Sequence, residues 1–171
     1  MRRLIVLASA ALLVLALVPM ASAATTSTST KHVDGTVKVH EPARPGVPYA
    51  RDWLARFEVR TSPDGATVYF GYMHLYGITS DNNAGAIHEF SVKKVDYSRT
   101  ATGQAATLEM EECIIIGEPL PEPQSQCFDS NYQVSDRSPD TFNPVGLEGS
   151  ATWSVVSGNI SIYTTSGQNS Q

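Results

Sequence analysis

Residues 53–60 alternate without a break: Trp53, Ala55, Phe57 and Val59 are separated by Leu54, Arg56, Glu58 and Arg60. A period of two cannot gather an apolar stripe on one side of a helix. It places one set on each face of a strand, here with the Trp53 set toward a core. Beyond residue 23 no stretch has helical periodicity. Short alternating or β-branched runs, punctuated by Gly, Pro, Asn and Asp, fall at 35–40, 53–61, 67–76, 86–97, 105–116, 131–135, 149–156 and 159–165. This pattern predicts an all-β domain of about eight strands, an antiparallel sandwich or a flattened barrel. Pro42, Pro45 and Pro48 make 41–49 an extended surface linker.

The one segment of helical character stands at the N-terminus. Arg2 and Arg3 precede an apolar run from Leu4 to Val18, and Ala21-Ser22-Ala23 supplies an A-x-A cleavage site. That is the layout of a secretory signal peptide over 1–23. The run falls short of the roughly 20 residues a bilayer span needs. No cysteine near the cut suggests a lipid anchor. The chain is therefore expected to be exported, with no membrane attachment after cleavage. Residues 24–32 read as a flexible Ser/Thr-rich leader, 33–166 as a single all-β domain and 167–171 as a disordered tail. Removing Arg2 and Arg3 takes the net charge from −5 to −7. Between Leu108 and Glu148 stand nine carboxylates and one base, Arg137. Such a surface argues against nucleic acid or anionic lipid and leaves an extracellular ligand or protein as the expected partner.

Cys113 and Cys127 are the only cysteines, and in an exported chain they predict one structural disulfide. It would close the neck of a loop holding Pro119, Pro121 and Pro123, a composition that excludes a regular strand or helix there.

Registers follow from requiring apolar faces to meet. Around the turn Ser62-Pro63-Asp64-Gly65, this places Val59 opposite Val68, Phe57 opposite Phe70, Ala55 opposite Tyr72 and Trp53 opposite His74. A loop with a glycine bulge is equally good turn chemistry but shifts the parity. A turn centred on Asp81 then sets Phe70 against Val92, Tyr72 against Phe90 and His74 against His88. A last hairpin around Ser157-Gly158 sets Val155 against Ile160 and Trp153 against Ile162.

These registers line up Trp53, His74 and His88 across three strands, with Tyr76 one step nearer the 77–85 loop. The row is the candidate ligand pocket, at the sheet end where such folds carry their sites. Two adjacent imidazoles could serve a metal if a third ligand joined them, and none stands at a fitting place. Asp81, Asn82 and Asn83 offer oxygens like the first half of a calcium loop, but the remaining ligands are missing and a plain turn uses the same residues. Glu109 and Glu111 alternate with Leu108 and Met110. That marks a solvated face rather than the carboxylate pair of a glycosidase. The chain lacks a G-x-S-x-G elbow, a phosphate-binding glycine loop and an H-E-x-x-H pattern. Asn159-Ile160-Ser161 fits a glycosylation sequon. The functional expectation is a secreted, non-catalytic β-domain that binds a small ligand or partner at one sheet end, with no cofactor. The alternatives are a small hydrolase or metal-dependent enzyme using His74 and His88, and a structural or adhesive surface protein.

Overall fold

The computed structural model of the chain describes residues 28–45, 47–78, 86–116, 124–146 and 152–167. The signal sequence, the Asp81–Gly85 turn and the three prolines between the cysteines lie outside these residues. The described part is all β. Its eight antiparallel strands are β1 (Thr28–Glu41), β2 (Arg51–Thr61), β3 (Val68–Gly77), β4 (Ile87–Thr100), β5 (Gly103–Ile116), β6 (Gln124–Asp136), β7 (Thr141–Val145) and β8 (Ser154–Gly167). They form one sheet in the order β7-β6-β5-β4-β3-β2-β1-β8. The sheet curls so that β8 also packs against β6 and β7, giving a nearly closed barrel rather than two stacked sheets. β1 starts at Thr28, inside the tract expected to be a leader, because β8 pairs with it from there.

Inward positions fill the lumen. Val33, Val37 and Val39 on β1, Ala55, Phe57 and Val59 on β2, Met73 and Leu75 on β3, and Leu108 and Met110 on β5 are all buried. Phe90, Tyr132, Phe142 and Trp153 add an aromatic layer from the opposite side. An eight-stranded barrel is just wide enough for side chains to pack it solid. At the lower end Tyr97 hydrogen-bonds Thr61 (2.9 Å), and Lys31 lies over its ring.

The seam between β7 and β8 is closed by side chains instead of a ladder. Asp140 accepts the amide of Ile160 (2.7 Å), Asp136 that of Ile162 (3.2 Å) and Asn143 that of Trp153 (2.9 Å). Gln104 donates to the Ile162 carbonyl. Four backbone groups along an otherwise open edge are thereby satisfied.

Three expected registers are corrected. Phe57 faces Met73, not Phe70, and Trp53 faces Gly77, not His74. The turn is the bulged kind. Ser62 Oγ accepts from Thr67 N, Asp64 Oδ1 accepts from Ser62 Oγ and Ala66 N, and the pairing shifts between Arg60 and Thr61. Met73 now opposes Phe90 and Leu75 opposes His88. The 149–156 and 159–165 runs are not a hairpin; from Ser154 onward they are one strand. Gly158, at φ 105°, lies beside the register shift opposite Lys38/Val39, and a Cβ there would overlap the Thr36 carbonyl. The β7 strand was not anticipated at all.

Cys113 and Cys127 are paired directly across β5 and β6, their Cα atoms 4.1 Å apart, and they form a disulfide on the outer face. The strands continue past them, to Ile116 and from Gln124, so the loop itself is shorter than expected.

Candidate ligand-binding site

An up-and-down order brings the C-terminal ends of β1, β3, β5 and β7 and the N-terminal ends of the other strands to one rim. There the inward-pointing rows turn from apolar to polar. On β1, Val39 is followed by Glu41. On β2, Trp53 is preceded by Arg51, which pairs directly with Glu41. On β5, Met110 is followed by Glu112. On β6, Tyr132 is preceded by Ser130.

Two charge clusters result. Glu41 is fully buried and accepts from Arg51 Nε and Nη2 and from Trp53 Nε1, each at 2.9 Å, and from Arg44 Nε at 3.4 Å. A carboxylate removed from water requires such a complete set of charge-assisted donors. Arg51 also lies over the Trp53 ring, 5.3 Å from its centroid. In the second cluster His88 Nδ1 donates to Glu112 Oε1 at 2.6 Å; both side chains are nearly buried. Trp53 links the clusters. Its ring meets His88 edge-on at 5.0 Å and stacks parallel to Trp153 at 6.4 Å.

Tyr132 stands behind both. Burial first, then the Glu112 and Glu41 carboxylates, push its phenol well above the ordinary tyrosine range, with Arg44 and Arg51 acting the other way. The phenol therefore stays protonated and available as a donor. Beside it a cavity of about 310 Å³ runs past the end of β7, lined by Glu112, Phe128, Ser130, Tyr132, Pro144 and Val145. Among the described residues Ser130 Oγ is buried without a hydrogen-bond partner. The cavity thus has an apolar body and a small polar floor, with one hydroxyl whose hydrogen-bonding capacity is unused. Depressions of about 710 and 540 Å³ lie elsewhere, the first lined by residues of β5, β8 and the segment after β6, the second by residues of β8, β1, β2 and β3.

The expected row of Trp53, His74, Tyr76 and His88 divides between the two sides of the sheet. Trp53 and His88 face the lumen and touch. His74 pairs with Glu89 on the outer face and shares a 3.2 Å hydrogen bond with the Tyr76 hydroxyl. The physical cause is the bulged 62–67 turn, which reverses the facing of β3. The two histidines therefore cannot act side by side. Among the described residues no three His, Cys, Asp or Glu side chains are grouped to hold a metal ion. Glu109 and Glu111 point outward as alternation predicts, beside Lys94 and Lys93.

Sequence reasoning missed Glu41, Arg51, Glu112, Ser130, Tyr132 and Trp153 as members of this site. The signal was present: extending the Trp53 alternation back by two reaches Arg51, and extending Leu108 and Met110 forward reaches Glu112. No family model, no curated protein and no solved structure matches the chain.

Proposed function

We propose that the chain is exported after removal of residues 1–23 and acts as a non-catalytic binding protein for a small, partly apolar ligand, held at the polar rim of the barrel. The observation that carries this reading is the cavity beside Tyr132. There the apolar Phe128, Pro144 and Val145 meet Glu112 and the unpartnered Ser130 hydroxyl, and a buried donor or acceptor without a partner favours whatever supplies one. The disulfide between Cys113 and Cys127 is compatible with an oxidising compartment.

Both tryptophans of the chain, Trp53 and Trp153, lie at this rim, so intrinsic fluorescence reports on it directly. A library of small metabolites screened by fluorescence should yield hits that also raise the melting temperature. Glu112→Gln and Ser130→Ala should weaken those hits. Hits that bind both variants as tightly as the parent would sink the site. Amino-terminal sequencing of the protein recovered from culture medium should begin at Ala24; an intact Met1 would overturn export by cleavage.

A further inference from the structure

The outer face of the sheet carries a second concavity, remote from the lumen. It is a groove of about 540 Å³ across β8, β1, β2 and β3. The registers lay its residues out in two rows. One runs Ser161, Asp34, Glu58, Tyr72; the other runs Asn159, Thr36, Arg56 and continues to His74 just outside the groove. At the usual strand spacing each row spans about 14 Å. The short side chains of Thr36 and Ser161 leave the floor low between Tyr72 and Arg56 on one side and Asn159 on the other.

The polar groups here are poised but incompletely used. Asp34 Oδ2 accepts from the Tyr163 hydroxyl at 2.8 Å, while Asp34 Oδ1 is buried and accepts from none of the described residues. The Arg56 guanidinium, exposed and diagonal to Asp34, makes no hydrogen bond or ion pair among the described residues. Glu58 is paired with Arg60, and Asn159 Nδ2 donates to Ser161 Oγ, which leaves the amide oxygen open. Tyr72 supplies a ring at the wall. It belongs to a stripe on β3, with Phe70, His74 and Tyr76 at successive centroid distances of 5.5, 5.2 and 5.8 Å.

We infer that this groove binds a neutral saccharide chain. Each sugar hydroxyl both donates and accepts, so one edge can give a hydrogen to the Asn159 amide oxygen and take one from Arg56. The C–H face of the same ring can lie on Tyr72, and the aromatic stripe extends the contact to further sugars. Other ligand classes fit worse. An apolar partner would bury the Arg56 guanidinium without a partner. An extended peptide has no edge to join, because β1, β2 and β3 are interior strands of the sheet with β8 beside them. Asp34 and Glu58 oppose an anion, and Arg56 opposes a cation. The inference does not depend on the rim site, since these residues face outward.

The test is affinity electrophoresis of the oxidised protein, carrying no glycan at Asn159, in native gels containing a mixed-linkage β-glucan, a galactomannan or dextran. Oligosaccharide titrations against the parent, Tyr72→Ala, Tyr72→Phe and Arg56→Ala accompany it. Retardation by at least one of these polymers is expected. Tyr72→Ala and Arg56→Ala should each weaken it about tenfold or more, as loss of a stacking face or of a charged hydrogen bond does. Tyr72→Phe should retain it. All variants should keep the parental melting temperature, and tryptophan fluorescence should not move. Failure of every neutral polymer to retard the parent overturns the inference. So does retardation that survives both alanine variants, or binding restricted to an acidic polysaccharide or to free amino acids.

Discussion

Glu41 shows how one buried charge organises a rim. Its carboxylate has no exposed surface and takes hydrogen bonds from three side chains, two of them cationic. Removing it strands Arg51 and the Trp53 indole without their acceptor. Glu41→Ala should therefore cost about 3 kcal/mol or more, the scale of breaking a buried pair from one side. Urea unfolding of the two proteins measures this, and a loss below about 1 kcal/mol would contradict the burial argument. Gly35 makes the opposite point, about space. It faces Phe57 on the neighbouring strand, and a Cβ there would overlap the ring. Phe57 is itself packed on Phe142, so it has little room to retreat. Gly35→Ala should destabilise by about 1–3 kcal/mol through overpacking, read as a lower urea midpoint at unchanged slope. Asp52 supplies a pH dependence. A hydrogen bond from His40, helped by the charge of Lys38, holds its carboxyl below the usual range. A depressed carboxylate contributes stability above its unfolded pKa and loses it as pH falls through the folded value. The stability gap between the parent and Asp52→Asn should thus be present at pH 7 and close below about pH 4. A gap that widened as the pH fell from 7 would contradict the sign of this argument.

At the scale of strands, the sequence was legible where one face alone could be apolar and illegible where both could. β2 has a single answer, because Arg56, Glu58 and Arg60 cannot all be buried. β3 has two. Phe70, Tyr72 and Tyr76, with His74 among them, form the more aromatic set, yet Met73 and Leu75 go inside. The lumen already receives large rings from β2, β4, β6 and β7. At Gly71 it has no space even for a Cβ, which would meet Val92. A bulged turn decides the matter, and turn type is a local choice that alternation does not see. The bulge near Gly158 misled in the same way: a glycine at positive φ serves a hairpin turn and a strand bulge alike. Strand β7 was hidden because five residues of mixed character, Pro144 among them, give no pattern. Its role lies at the seam, where its Asn143 accepts the Trp153 amide beside Asp140, just before the strand, and Asp136 at the end of β6. Asp140 and Asp136 replace the missing ladder to β8, so Asp140→Ala should free the Ile160 amide. Hydrogen exchange at Ile160 should then quicken far more than at Val37, which lies on the β2–β1–β8 ladder away from the seam. Equal acceleration at both positions would mean that the substitution destabilises the whole barrel instead of opening its seam.

For the molecule as a whole, composition and punctuation sufficed for an all-β antiparallel fold, and the count of about eight held only because the missed β7 offset two expected runs that are one strand, β8; curvature was out of reach. Whether a meander stacks into a sandwich or curls shut depends on where bulges fall. Here they fall at Arg60/Thr61, Val92/Lys94 and Lys38/Val39. Bulges sharpen the local twist and bend a strand, so three of them favour closure. The cysteine pair was readable because it rests on covalent chemistry, and its position on the outer face defines what it can do. It lies across two strands already paired on both sides of it, so the ladder does not need it to form. Its effect belongs to the unfolded chain, where it closes a loop of about 15 residues and removes about 3 kcal/mol of entropy in the chain-entropy account. Reduction by dithiothreitol should therefore lower stability by roughly that amount while leaving the far-ultraviolet circular dichroism and the fluorescence of Trp53 and Trp153 unchanged at 25 °C. The β5–β6 ladder from Ala105 to Met110 should keep its exchange protection. If reduction instead unfolded the barrel, or reddened the tryptophan emission in the absence of denaturant, the rim would depend on the bridge. The polar clusters around Glu41 and Glu112 would then not be self-supporting.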